Sequence, residues 1–306
     1  MSAGHKIARC LLQLMLCWFV PAGYAAEDLR VLLVLSDNNA PYQTFVNTFR
    51  QNLPVHIHTT ILPVAEDFDA QQADLIVTVG VKAADRVAAR STLPMLAAMI
   101  PSNTYVDLLA KRRSARLTSA IYLDQPWARQ AALLHAAMPE RHRIGVLYSP
   151  GTRLDMSALR AALVEQGDTL LAKPLHNAGS LFSDMEEVLV ASEVLLAVPD
   201  SAIYNSNNIR NILLSSYRRG IPLIGLSQAY VKAGALCAIF STPEHLAEQA
   251  RSVTVTFAQT RTLSAAQFPK HYTIAVNQEV ARTLGLTIPS AEALRIQIEK
   301  SSGSLR

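Results

Sequence analysis

Continuous apolar runs, broken by polar turns marked with glycine and proline, set the rhythm of this chain. Arg30-Val31-Leu32-Leu33-Val34-Leu35-Ser36 is apolar without alternation and stops at Asp37-Asn38-Asn39. That is the pattern of a strand buried on both faces, followed by a loop. Pro41 suits the first turn of a helix reaching about residue 52, with Phe45 and Phe49 on one face. Residues 55–61 predict a second strand. Ala73-Asp74-Leu75-Ile76-Val77-Thr78-Val79-Gly80 predicts a third, running into an alanine-rich helix over 81–90, and 94–100 predict a fourth. Strands alternating with helices imply a parallel sheet with right-handed crossovers.

Residues 117–123 are again extended. Asp124 and Pro126 then open a helix that ends near Met138 and is closed by Pro139. The pattern restarts there. Residues 143–148 predict a strand, and a helix over 155–165 carries Met156, Leu159 and Leu163 on one face, with Gly167 as its C-terminal cap. Residues 169–173, 194–198, 221–225 and 235–240 predict further strands. A helix beginning near Ile203 follows the junction Pro199-Asp200-Ser201. Thr242-Pro243-Glu244 starts another, with Leu246, Ala250, Val253 and Phe257 on one face. Residues 272–277 give a last strand, 279–284 a helix, and 292–306 a short amphipathic helix with a frayed polar end. Two βα series of similar length, joined near 123–126, predict an α/β chain of two doubly wound parallel-sheet lobes. Its 306 residues fit two domains better than one.

The first residues stand outside this pattern. Lys6 and Arg9 precede an apolar run over 11–20, Pro21 and Gly23 end it, and Ala25 and Ala26 offer a cleavage site. Residues 1–26 therefore read as a cleaved signal peptide, too short in its apolar run for a stable membrane anchor. Cys17 follows Leu16 rather than a small residue, which argues against lipid attachment. Cleavage removes two basic residues and no acidic one, leaving 26 Lys and Arg against 24 Asp and Glu. A net charge of +2 gives no reason to invoke nucleic acid. Cys10 and Cys17 leave with the signal. Cys237, inside an apolar strand, remains as a buried thiol with no disulfide partner.

No G-x-S-x-G or G-x-G-x-x-G occurs. Gly220 and Gly225 have phosphate-loop spacing, but no Lys follows and their interior is a strand. The His residues are scattered without metal-ligand spacing. No enzyme, metal or cofactor is expected. What remains is polar groups after predicted strands, where ligands of parallel sheets bind. These are Ser36, Asn38, Gly80 and Ser102 in the first lobe, and Ser149, Asp200, Ser201, Tyr204 and Ser227 in the second. Each has two readings. Ser36, Ser149, Ser201 and Asp200 can cap helices or close turns, and Tyr204 can pack within its own lobe. Together, the loops lie on one edge of each sheet and can line one cleft.

Three motifs carry a family resemblance: Val198-Pro199-Asp200, then Ile221-Pro222-Leu223-Ile224-Gly225, then Val231-Lys232-Ala233-Gly234-Ala235-Leu236. In order and spacing they resemble the C-terminal lobe of tryptophan-binding-type substrate-binding proteins of ABC transporters, with the type I periplasmic binding protein fold. The resemblance implies two lobes joined by a hinge crossed near Leu123, Ser241 and Phe268. Residues 27–122 with 242–268 form one lobe, 123–241 with 269–300 the other, and 301–306 a flexible tail. It further implies a monomeric periplasmic protein that closes on a small molecule, amino-acid-like ligands included, and hands it to a membrane permease. A sensor presenting its closed form to a signalling receptor, and less so a secreted α/β enzyme, are the rival readings. Two places depart from the family: Ser36-Asp37-Asn38-Asn39-Ala40-Pro41 replaces Ser-His-Pro, and 241–247 lack the usual Leu-Gly.

Overall fold

Two separate sheets carry the chain, and a computed structural model describes them over residues 28–64 and 72–303. The signal-peptide expectation lies outside the described residues, as do the last three positions of the expected tail.

The first sheet has five parallel strands in the order β2-β1-β3-β4-β5. They are β1 (Leu29–Leu35), β2 (Ile57–Pro63), β3 (Leu75–Val79), β4 (Met95–Ile100) and β5 (Thr118–Tyr122). Every residue of β3 is buried, because helices cover both faces of the sheet. The helices are α1 (Ala40–Arg50), α2 (Val81–Arg90) and α3 (Ser102–Lys111). Phe45 and Phe49 of α1 are fully buried and stack with ring centroids 6.1 Å apart.

The second sheet has six strands in the order β11-β10-β9-β8-β6-β7, parallel except for the β10–β11 pair. They are β6 (Arg143–Tyr148), β7 (Thr169–Pro174), β8 (Val194–Leu196), β9 (Leu223–Gly225), β10 (Cys237–Phe240) and β11 (Thr273–Val276). Around them lie α4 (Trp127–Ala137), α5 (Met156–Glu165), α6 (Leu181–Ala191), α7 (Ile209–Arg218) and α8 (Gln228–Ala233). Asp155 caps α5 by accepting from the Ala158 amide at 2.9 Å, and Gly167 beyond it takes a φ of 82°.

The chain passes between the sheets three times. After β5 it enters α4. After β10 it returns as α9 (Pro243–Thr260), which sets Leu246, Ala247, Ala250 and Phe257 into the core of the first sheet. Thr242 caps α9 through the His245 amide. The chain then runs back beside β5, where the Tyr122 amide donates to the Gln267 carbonyl and the Gln267 amide to that of Ala120. It ends in the second lobe with β11, α10 (Gln278–Thr283) and α11 (Ala291–Gly303), whose Leu294 and Ile298 are buried.

Several elements differ from the sequence expectation, among them α3 and α6, which no predicted helix covers. No helix begins near Ile203: residues 201–208 form turns and α7 starts at Ile209. Asn205 is the cause, since its side-chain oxygen accepts from the Asn207 and Asn208 amides and holds the backbone in a turn. The strand after Gly80 begins at Met95, and β2 begins two residues later than the apolar pattern suggests, behind turns at Val55 and His56.

Candidate functional site

The C-terminal ends of the parallel strands supply the residues between the lobes. From the first lobe come Pro101, Ser102 and Asn103 after β4, and from the first crossing Leu123 and Asp124 after β5. From the second lobe come Pro199 after β8 and Leu226 after β9. Among the described residues, two side-chain contacts bridge the cleft away from the crossings. The Asn103 side-chain amide donates to the Pro199 carbonyl at 2.9 Å, and the Arg153 guanidinium lies 2.8 Å from the Asp107 carboxylate.

Two cavities adjoin there and share Trp127 as a wall. The inner one, about 70 Å³, is bounded by Leu123, Leu226 and Ile239 with the polar residues Asp124, Gln125 and Gln130. The outer one, about 560 Å³, is bounded by Val106 of α3, Ala158 and Ala162 of α5, Tyr122 and Phe268. Tyr122 and Phe268 meet edge to face at 5.0 Å, one from each side of the first and third crossings. A cleft of several hundred Å³ is ordinary for a small-molecule pocket.

The crossings are tied to one another by side chains. Gln125, buried on the first crossing, donates to Ser241 Oγ on the second at 2.9 Å. Ser241 Oγ donates onward to the His271 carbonyl on the third at 2.6 Å. Arg129 bonds Gln125 and the Pro269 carbonyl and lies 4.6 Å from the Tyr272 ring centre. Gln249 of α9 donates to the Phe268 carbonyl and accepts from the Lys270 amide. Burial alone pushes the Arg129 guanidinium below its ordinary pKa, with Tyr272 opposing. His245, on the same side of the hinge, is lowered by burial and then by His271, whose ring lies 5.9 Å away.

Two carboxylates organise the strand ends. Asp124 accepts from the Ser102 amide at 2.7 Å and the Ser102 hydroxyl at 2.6 Å, and so covers the N-terminus of α3. Burial raises its pKa despite those bonds. Asp200, only 3 % exposed, accepts from the Ser149 amide at 2.6 Å, the Ser149 hydroxyl at 2.5 Å and the Ala202 amide at 3.0 Å. It joins the loops after β6 and β8.

The expected site residues separate into groups. Ser102 reaches the cleft wall. Ser149 and Asp200 meet each other inside the second lobe. Ser36 Oγ accepts from the Ala83 amide at 2.9 Å and caps α2, so it is a structural hydroxyl of the first lobe. Gly80 sits against it with a φ of 88°; a Cβ there would lie 2.7 Å from Ser36 Oγ, so only glycine fits. Asn38 is exposed and accepts from Gln43. Ser201 is exposed and Ser227 half-buried, with no cap bond to α8. Tyr204 is buried in the core of the second lobe, and burial drives its hydroxyl far above the usual phenol range. Neither interlobe cavity is walled by Ser36, Asn38, Gly80, Ser149 or Tyr204.

Sequence reasoning missed Gln125, Trp127, Gln130 and Arg153 as cavity walls, whereas Asn103, a polar group after the fourth strand, and Phe268, at a crossing, are legible in the sequence. The one signal for part of this set was the polar junction Asp124-Gln125-Pro126 directly after a strand. Trp127 and Gln130 look like ordinary helix positions, and Arg153 stands in the loop before α5 with nothing to mark it. Among the described residues, no group of three His, Cys, Asp or Glu is placed to hold a metal, and no helix is long and apolar enough to cross a membrane.

Two α/β lobes, three crossings and a walled cleft between strand ends define a bilobal binding protein of the periplasmic type. The model of the family described as ABC transporter substrate binding protein matches residues 56–296, and the chain belongs to that family. A ligand-free, open substrate-binding protein with adhesive properties from Clostridium difficile is similar at 15 % identity and TM-score 0.66, over 87 % of this chain and 97 % of that one. An ABC domain in complex with L-Trp from Streptococcus pneumoniae gives 16 % and 0.65, over 88 % and 98 %. A conserved domain protein from Vibrio cholerae gives 17 % and 0.64, over 89 % and 98 %. At these identities the likeness speaks for the fold. No curated protein matches the chain.

Proposed function

We propose that the mature chain is a periplasmic solute-binding protein that closes on a small molecule and delivers it to an ABC-type permease, without chemical turnover. The observation that carries this reading is the walled cleft between the two lobes, spanned by the Asn103–Pro199 and Arg153–Asp107 contacts. Closure about a hinge buries the ligand and creates a shape that the open form lacks, which is what a permease needs to recognise. The moving bodies are residues 27–122 with 242–268, and 123–241 with 269–300. The hinge lies at Leu123, Ser241 and Phe268. Export through a cleaved signal at residues 1–26 and action as a monomer complete the reading. Of the strand-end residues, Ser102 stands at the ligand. Ser36, Gly80, Ser149 and Asp200 shape the loops around it, with Asn38, Ser201, Tyr204 and Ser227 farther from the walls.

Native purification of exported protein, followed by mass spectrometry and titration calorimetry, tests capture. One molecule should be retained per chain and rebind saturably. Uptake of that molecule by cells lacking this protein or the permease tests delivery: both losses should abolish it. A protein that retains nothing and binds nothing across sugars, amines and amino acids contradicts the reading.

A further inference from the structure

We propose that the cleft selects a non-anionic ligand, neutral or cationic, with an apolar ring and a hydrogen-bonding amide or amine edge read by Gln130. This rests on the binding function proposed above and adds the class of ligand.

The places where a ligand anion would dock are already occupied. Backbone amides and hydroxyls at helix starts and strand ends are the usual receptors for carboxylate and phosphate. In the first lobe the Ser102 amide and hydroxyl both hold Asp124, at 2.7 and 2.6 Å. Asp124 thus stands in the cavity wall where an acidic ligand would need a donor. An incoming anion would also face the Asp124 carboxylate in the wall of the inner cavity, and like charges repel. Among the described residues lining the two cavities no unpaired cation offsets this: Arg153, the basic residue of the outer cavity, is paired with Asp107 at 2.8 Å, and Asp155 and Glu165 line the same cavity.

Gln130 points to what the cleft does take. Three polar side chains line the inner cavity. Both oxygens of Asp124 bond Ser102, and both ends of the Gln125 amide are engaged by Ser241 and Arg129. Gln130 is 4 % exposed, and its side-chain oxygen has no partner. A buried unpaired amide oxygen is costly, and a ligand donor removes that cost. The remaining walls, Leu123, Leu226, Ile239 and the Trp127 ring, suit an apolar body. The inner volume of about 70 Å³ holds a small polar edge, and the adjoining 560 Å³ holds a ring.

Trp127 fluorescence and thermal shift report binding directly, since Trp127 walls both cavities. The probes are matched sets of free acid, primary amide and amine on phenyl, indole and short aliphatic scaffolds, with neutral sugars as a further arm. Amides or amines of a ring scaffold should bind roughly tenfold or more tighter than their acids. Gln130→Met should weaken them by a similar factor and leave the unliganded melting temperature unchanged or higher. Asp124→Asn should narrow the preference for amide over acid. Tightest binding by a free acid, or by a sugar, overturns the inference and leaves the capture function standing. Loss of stability in unliganded Gln130→Met, or unchanged affinity, overturns the role of Gln130. If no probe binds and nothing is retained on native purification, the capture function fails and the ligand class with it.

Discussion

At the scale of single residues, the carboxylates decide more than the hydroxyls. Asp200 accepts three hydrogen bonds inside the second lobe while nearly fully buried. Asp200→Ala would leave the Ser149 amide, the Ser149 hydroxyl and the Ala202 amide without their acceptor. We expect a loss of roughly 2–4 kcal/mol, read as a lower denaturant midpoint at constant slope. An unchanged midpoint with weakened ligand binding would place Asp200 at the ligand instead. Cys237 is fully buried, and burial pushes its thiol up to about 12. It should resist thiol reagents in the native state and react once denaturant is added. Fast native labelling would contradict that environment. Acid stability follows from Asp74, Asp184 and Glu193, each held below the ordinary range by hydrogen-bond donors: Arg30 for Asp74, Ser180 for Asp184, and the Arg143 and His142 amides for Glu193. A depressed folded-state pKa adds stability above the unfolded value of about 4 and loses it as pH falls, for Asp184 through about 2. Asp124, raised by burial, has the opposite sign. Denaturation midpoints should therefore decline from about pH 5 to pH 2, and a flat profile would contradict the three depressed groups.

At the scale of elements, the strands were legible and the site was partly so. Parallel strands covered on both faces must be apolar throughout, so β1, β3, β4 and β6 announce themselves as unbroken runs. Helix ends were readable where a side chain supplies the cap, as Asp155 and Thr242 do. The turn after Asp200 was not, because the decisive bonds from Asn205 are local choices that an apolar pattern does not record. The cavity walls were hidden for another reason. Val106, Trp127, Ala158 and Gln130 sit on helices α3, α4 and α5, where spacing marks which face is covered and not by what. The family resemblance supplied the hinge, and its residues became visible only when Gln125, Ser241 and His271 were seen to bond in sequence across the crossings. Ser241→Ala breaks that chain at its middle, leaving Gln125 without an acceptor and the His271 carbonyl without its donor. A loss of about 1–3 kcal/mol is expected in the unliganded melt, together with faster hydrogen exchange at the crossings. Unaltered exchange there would mean that the network does not hold the hinge.

At the scale of the whole molecule, capture depends on balance between open and closed arrangements. Among the described residues, the side-chain contacts that bridge the cleft away from the crossings are one neutral hydrogen bond and one partly exposed ion pair, a small stake of about 1 kcal/mol each. Such weak latching lets a ligand shift the populations, since its own interlobe contacts exceed them. Cys237 is buried, so a chain starting at Glu27 accepts spin labels at Lys82→Cys on the first lobe and Arg210→Cys on the second, both exposed positions. The interlobe distance distribution should be broader and longer in protein stripped by denaturation and refolding than in protein carrying its retained ligand. Restoring the ligand should return the short, narrow distribution. Identical distributions with and without saturating ligand would contradict capture by lobe closure.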